Sequence, residues 1–319
     1  MNVFIGSPRD LQDLVGVLPH LGFMSLDENR AAASPDSWEE AGEAWSSRAF
    51  DWSCLYEHYS LDMLVALLPR LGVGPGTSLL DVACGSGLAV RVASGMGADV
   101  AGIDAATELV IVARERTPVA DLRVGSMFEL PWPDGRFDAV ISVNGIWGGC
   151  GAALAEAYRV LRPGGLIGIS FWGQGPPLDI REVFKIFAFH APLQHRNSMR
   201  HLNDIAAPGI AEEMLESSGF SVLERGGRVS TMEWPDADIA WRAISSVGPA
   251  VPALRSNDPA VLRDAVLAAL EPCRDLRGIY RTRSDHQFVV ASRPTAQTSS
   301  RKGECPTANV GTGHRVVPG

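Results

Sequence analysis

Lysine is nearly missing from this sequence: only Lys185 and Lys302 carry it, and arginine supplies the rest of the 28 basic residues. Against 37 acidic residues the net charge is −9, and no window gathers the basic run needed to follow a phosphate backbone. Long nucleic acid is therefore not an expected partner. Cysteine is equally thin. The five, Cys54, Cys84, Cys150, Cys273 and Cys305, are odd in number, scattered and without a CxxC pair, which points to a reducing cytoplasm and away from a disulfide framework. An apolar run of about 18 residues, the length that spans a bilayer, is absent. Arg9 and Asp10 also interrupt the N-terminus before a secretory segment can build. The expectation is a cytoplasmic protein with no membrane partner.

What is present is ordinary globular composition, 319 residues with 46% hydrophobic and 20% charged, enough for one large domain or two small ones. Residues 1–36 combine a short amphipathic stretch, 11–21, with a turn-rich connector, 29–36, and read as an N-terminal extension. Residues 293–319 are rich in Thr, Ser, Gly and Pro without an apolar period and are expected to form a disordered tail. Between them lies a domain spanning 37–292. At its start Trp38, Trp45 and Trp52 recur every seven residues, with Phe50, Tyr56 and Tyr59 among them, so helical segments would carry an aromatic stripe. Two readings stay open, simple docking onto a core or a lid over a ligand.

Leu61, Leu64, Val65, Leu68 and Leu71 continue at helical spacing until Gly72-Val73-Gly74-Pro75-Gly76 stops the helix. Apolar runs then follow at 78–83, 99–103, 122–124, 137–143 and 166–172, separated by helix-length segments at 88–94, 107–116 and 152–161. Such alternation predicts a doubly wound α/β fold with a mostly parallel sheet. After Trp172 the rhythm breaks, and 173–208, with its prolines, histidines and aromatics, reads as an insertion; a second is placed at 236–276. A helix at 210–217, strand-like pieces at 220–223 and 227–234, helices at 238–247 and 260–270, and a closing strand at 280–291 complete the reading.

The stretch that carries chemistry is Leu79-Leu80-Asp81-Val82-Ala83-Cys84-Gly85-Ser86-Gly87, an apolar strand turning through glycines into a helix. Gly85 and Gly87 let the backbone approach a ligand, and the helix start offers unpaired N–H groups there. Asp104, nineteen residues beyond Gly85 at the end of the next strand, is placed to accept hydrogen bonds from both hydroxyls of a ribose, or alone to cap the helix after it. A nicotinamide dinucleotide would ask for a third glycine where Val90 stands, and no Gly-Lys-Ser/Thr of a phosphate-binding loop occurs. A compact nucleoside such as S-adenosylmethionine fits the looser turn.

Three further stretches accompany the loop: Val124-Gly125-Ser126-Met127-Phe128-Glu129-Leu130-Pro131, Arg136-Phe137-Asp138-Ala139-Val140 and Tyr158-Arg159-Val160-Leu161-Arg162-Pro163-Gly164-Gly165. With these in order, the chain resembles the class I S-adenosylmethionine-dependent methyltransferases, the small-molecule branch with a methyltransferase type 11 core, over residues 37–292. The resemblance implies a seven-stranded Rossmann-like sheet with an N-terminal helical lid and an inserted cap. It also implies that Ala83, Gly85 and Gly87 line the methionine end of the cofactor and that Asp104 holds the ribose. Ser126 and Met127 would flank the adenine, Asn144 would line the amino-acid end, and Asp81, Ser86 and Ala105 belong to the same cofactor-binding set. Leu161 to Gly165 is expected to be a turn. Ala83 stands where the family often has glycine and Ser126 where it often has aspartate, so cofactor binding is expected to survive with reduced affinity.

Methyl transfer from a sulfonium needs alignment more than a base. His58, His190 and Tyr59 are named as weak candidates for one, with a surface or structural role as the alternative for each histidine, and no ligand spacing argues for a metal. Trp147, Trp172, Trp45, Trp52, Tyr56 and Tyr59 could line an apolar acceptor pocket, or simply pack. The expected function is methylation of a small apolar metabolite at oxygen, nitrogen or carbon; the alternative is a non-catalytic binding module that kept the fold.

Overall fold

The computed structural model describes residues 38–295 apart from 178, 194 and 196–203. The expected extension 1–36 and tail residues 296–319 lie outside the described residues. One sheet of seven strands organises the chain: β1 (Ser78–Val82), β2 (Asp99–Asp104), β3 (Asp121–Val124), β4 (Phe137–Val143), β5 (Leu161–Trp172), β6 (Ser221–Trp234) and β7 (Tyr280–Ser292). They lie in the order 3-2-1-4-5-7-6. Strands β1 to β5 pair in parallel, and β7 runs antiparallel to both β5 and β6. All five residues of β1 are buried, as a central parallel strand covered on both faces requires.

Helices cover both faces. On one, α2 (Leu61–Arg70), α3 (Leu88–Gly95) and α4 (Thr107–Arg116) set Leu67, Leu68, Val90 and Val110 against Leu79, Val100 and Ile141. On the other, α5 (Gly151–Val160) and α7 (Ile210–Ser217) set Leu154, Ala157 and Leu215 against Leu80, Val82, Val140 and Ile169. The doubly wound expectation from the alternating apolar runs is met. An additional helix, α1 (Trp38–Ser46), precedes these elements.

The carboxyl edge of the sheet carries a cap. Trp172, the last residue of β5, pairs with His286, so among the strands 280–285 of β7 pair with β6 alone and form a ribbon beyond the sheet, its other edge bonded to Gly173, Pro177 and Asp179. Four helices pack on this ribbon in an apolar cluster of their own: α6 (Arg181–His190), α8 (Ala237–Ile244), α9 (Val251–Ser256) and α10 (Pro259–Leu270). Asp236 and Asp258 start two of them, their carboxylates accepting from the N–H groups of Ile239 and Ala260.

Two sequence expectations are corrected. The pieces at 220–223 and 227–234 belong to one continuous strand, β6, which begins at Ser221. Gly226 and Gly227 sit inside the ladder, and a side chain on Gly226 would start 2.3 Å from the Phe288 ring. Leu161 to Gly165 are the irregular start of β5 and not a separate turn: the register passes from Phe137 opposite Leu161 to Ala139 opposite Leu166. Within the region 173–208, read as an insertion, residues 181–190 form α6, burying Val183 and Phe187.

Candidate functional site

Three ends of the parallel strands meet at one loop. β1 runs into Ala83, Gly85 and Gly87, whose φ angles are +61°, +53° and +79°. At Gly87 glycine is also required by space, since a side-chain carbon would lie 2.8 Å from Ala113 Cβ of α4. Asp104, ending β2, clamps this loop: one carboxylate oxygen accepts from Gly85 N–H at 2.8 Å and the other from Ala106 N–H at 2.8 Å. Ala106 occupies the cap position of α4, so the simple N-cap reading of Asp104 does not hold. Each oxygen keeps a lone pair for a further donor. Burial raises the Asp104 carboxyl above its ordinary range, opposed by the N–H bonds from Ala106, Gly85 and Ala105.

Asp81 is 2% exposed, and its carboxylate has no hydrogen-bond partner among the described residues. Burial, and then the charge of Asp104, push its carboxyl well up. Gly125 N–H donates to Asp104 O at 3.0 Å, which brings Ser126 and Met127 beside the end of β2. The Ser126 hydroxyl oxygen accepts from Phe128 N–H at 3.1 Å.

Residues 49–60 lie across this loop in short helical turns, including a π turn at Trp52–Tyr56. Trp52 Nε1 is 3.8 Å from where a side chain on Gly85 would begin. The Glu57 carboxylate accepts from Ser86 Oγ and from Arg116 Nη1, and Arg116 also donates to Ser53 O at 2.8 Å and to Ser86 O at 3.2 Å. Burial raises the Glu57 carboxyl despite these bonds. α1 docks alongside, with Gly42 so close to Ala105 that a side-chain carbon would sit 2.2 Å from its carbonyl oxygen. The aromatic segment therefore docks onto the loop at the strand ends, in keeping with the docking reading of its spacing.

Beyond the loop, β4 ends at Val143 and is followed by Asn144, held at φ +56°. Its Nδ2 donates to Tyr59 Oη at 2.9 Å, and its Oδ1 accepts from Ser170 Oγ at 3.4 Å. Tyr59 is buried between Trp172 and His286, at ring distances of 5.1 and 5.2 Å, and Trp172 lies 4.1 Å from His286. A run of rings thus passes from Trp45 through Trp52, Tyr56 and Tyr59 to His286. His286 is fully buried, with Nδ1 2.9 Å from Ser230 Oγ, and burial pushes its imidazole down to about 3. Two open clefts lie elsewhere on the surface, one beside Arg48 and Trp241 and one beside Pro176 and Arg181, and neither is lined by the 83–87 loop.

Of the residues singled out in the sequence, Asp81, Ala83, Gly85, Ser86, Gly87, Asp104, Ala105, Ser126, Met127, Asn144 and Tyr59 converge on this edge of the sheet. His58 is exposed, and His190 is tied at the end of α6 to Asn257 of the cap. Glu57, Arg116 and His286 went unnoticed. Only their position in the fold marks them, because none belongs to a local pattern.

A protein-family model described as "Methyltransferase domain" matches residues 80–169. Demethylmenaquinone methyltransferase of Listeria monocytogenes is 32% identical over 172 residues, 47% of this chain and 73% of the relative. The chain belongs to the class I S-adenosylmethionine-dependent methyltransferases. Malonyl-[acyl-carrier protein] O-methyltransferase of Serratia marcescens is 29% identical over 214 residues, covering 64% and 78% of the two chains. Other relatives are spanned over only about half their length. Among solved structures, YcgJ of Bacillus subtilis superposes with a TM-score of 0.52 at 16% identity, over 74% of this chain and all of that one, a likeness of fold. This methyltransferase uses S-adenosylmethionine. Among its described residues no helix is long and apolar enough to cross a membrane.

Proposed function

We propose that this methyltransferase modifies a small apolar acceptor, held between the aromatic segment 49–60 and the β6–β7 ribbon and facing a cofactor seated on the 81–87 loop. The observation that carries the reading is the pairing of Asp81 and Asp104. One is a buried carboxylate without a partner; the other is a carboxylate at the neighbouring strand end with lone pairs to spare. An amino-acid ammonium supplies the charge that Asp81 lacks, and a ribose supplies donors for Asp104, so a nucleoside joined to an amino acid fits both. Ser86 and the backbone at Ala83, Gly85 and Gly87 hold the amino-acid portion beside Asn144. Ala105, Ser126 and Met127 border the base.

When bound, S-adenosylmethionine supplies a methyl group already activated by the positive charge on sulfur. The protein's task is then alignment and exclusion of water. Tyr56, Tyr59, Trp172, Met232 and Trp234 form an apolar wall suited to an acceptor of their own polarity. The name of the Listeria relative, demethylmenaquinone methyltransferase, agrees with an acceptor of this kind.

Calorimetry with S-adenosylhomocysteine and S-adenosylmethionine tests the cofactor seat. Binding of both is expected, and Asp81→Asn or Asp104→Ala should weaken both at least tenfold. Transfer of labelled methyl from the cofactor into an organic-extractable product of a metabolite extract tests the acceptor class. Label that stays entirely in water-soluble products would overturn the apolar assignment.

A further inference from the structure

Among the described residues five buried side-chain polar atoms lack a hydrogen-bond partner; Thr117 Oγ1 stands apart at the end of α4, and the other four gather in one place. These are Tyr56 Oη, Thr282 Oγ1, Ser284 Oγ and His286 Nε2. Thr282, Ser284 and His286 alternate along β7 and so share one face of the ribbon. Opposite Ser284 on that face is Ser230, which bonds His286 Nδ1, and opposite Thr282 is the buried Met232. Tyr59 stacks on His286, and Tyr56 stands between Tyr59 and Trp234. An otherwise apolar cluster thus holds a row of polar atoms that are buried and unpaired by the protein, a costly arrangement unless something completes it. Asn144, bonded to Tyr59 Oη, links this row to the end of the strand next to the loop.

We infer that His286 Nε2 binds the acceptor's hydroxyl group, so that the acceptor is an aromatic or otherwise apolar molecule methylated on oxygen. This rests on the methyltransferase reading and narrows it. The assignment takes Ser230 Oγ as acceptor from Nδ1–H, which leaves Nε2 a bare lone pair. A hydroxyl donor completes it, while Trp172 and Tyr59 flank the ring of His286 and exclude water. Tyr56 Oη, Ser284 and Thr282 offer secondary contacts to a second oxygen on the acceptor. The balance closes without another reactant. The acceptor oxygen forms its bond to the methyl carbon as the carbon–sulfur pair stays with sulfur, and the hydroxyl proton passes to Nε2 and then to solvent. A weakly basic imidazole suffices, because a hydroxyl that has gained a methyl is an oxonium, a far stronger acid than the hydroxyl was.

The test uses 1-naphthol and naphthalene as probes on the full chain saturated with S-adenosylhomocysteine, with affinity read by calorimetry or ligand-observed NMR. The wild type should bind the naphthol about tenfold more tightly than the hydrocarbon, the worth of one buried hydrogen bond. His286→Leu should erase that preference while leaving naphthalene and S-adenosylhomocysteine binding unchanged. Ser230→Ala keeps the ring but frees its tautomer, and should cut the preference at least threefold. His286→Gln, which restores an acceptor atom, should recover part of it. Equal affinity for the two probes in the wild type, or a preference that survives Ser230→Ala and whichever His286 variant is folded, overturns the inference. Folding is read from S-adenosylhomocysteine binding in each variant. Failure of the wild type to bind S-adenosylhomocysteine is a separate result and sinks the methyltransferase site itself.

Discussion

Single residues at the strand ends pay for the site's shape in backbone conformation. Ala83 and Asn144 are the described non-glycine residues with positive φ, and they stand at the carboxyl ends of the two adjacent strands β1 and β4. Asparagine tolerates the left-handed region, helped here by its bonds to Tyr59 and Ser170, but alanine does not. The sequence marked Ala83 as a departure from glycine, and the φ angle gives the reason that position favours it. Ala83→Gly should therefore stabilise the protein by about 1 kcal/mol in urea unfolding, without weakening S-adenosylhomocysteine. Asp104 tests a second point. Because both of its oxygens accept backbone N–H groups, Asp104→Asn turns an amide toward one of those donors. The ligand-free protein should lose about 1–2 kcal/mol; a purely ligand-binding aspartate would leave it unchanged.

Elements were legible where period and punctuation agreed and illegible where a contact overrode them. The strand–loop–helix from 78 to 95 and the helix at 210–217 follow directly from apolar spacing and flanking glycines. β6 was read as two pieces, 220–223 and 227–234, yet the ladder runs through, and the ring of Phe288 on the neighbouring strand demands glycine at 226. His286 read only as part of a strand, since its partners Trp172, Tyr59 and Ser230 come from three distant segments. The aromatic segment's fastening was equally hidden: Glu57 reaches Ser86 and Arg116, residues 29 and 59 positions away. That fastening has a measurable consequence. Arg116 ties the segment at Ser53 O to the loop at Ser86 O, and Glu57 shares it, with both side chains largely buried. Glu57→Gln keeps the shape and removes the charge. Stopped-flow displacement should show S-adenosylhomocysteine leaving at least threefold faster, with stability lower by about 1–2 kcal/mol, the cost of leaving a guanidinium without its counter-charge in a half-buried setting.

At the scale of the molecule, the parallel strands collect buried acids at one edge, and that concentration makes ligand binding depend on pH. Burial raises the carboxyls of Asp81, Asp104 and Glu57, while burial lowers the imidazole of His286 to about 3. The signs oppose each other. For the acids the folded state holds protons that the unfolded chain has released, so their contribution is full below about pH 4 and is lost as pH climbs through their raised values. For His286 the unfolded chain takes the proton first, so its contribution is full above about pH 6.5 and is lost as pH falls toward 3. An ammonium beside Asp81 changes only the first balance, because it favours the ionised carboxylate and brings its pKa back down. Binding of S-adenosylhomocysteine should therefore release protons, and its affinity should rise with pH from the ordinary carboxylate range upward. Calorimetry in two buffers of different ionisation enthalpy counts those protons at each pH. Asp81→Asn should flatten the pH dependence of affinity and abolish most of the proton release, leaving any residue to Asp104 and Glu57. If the variant releases as many protons as the wild type, Asp81 does not meet the ammonium, and the seat of the amino-acid portion must be reassigned to the neighbouring backbone.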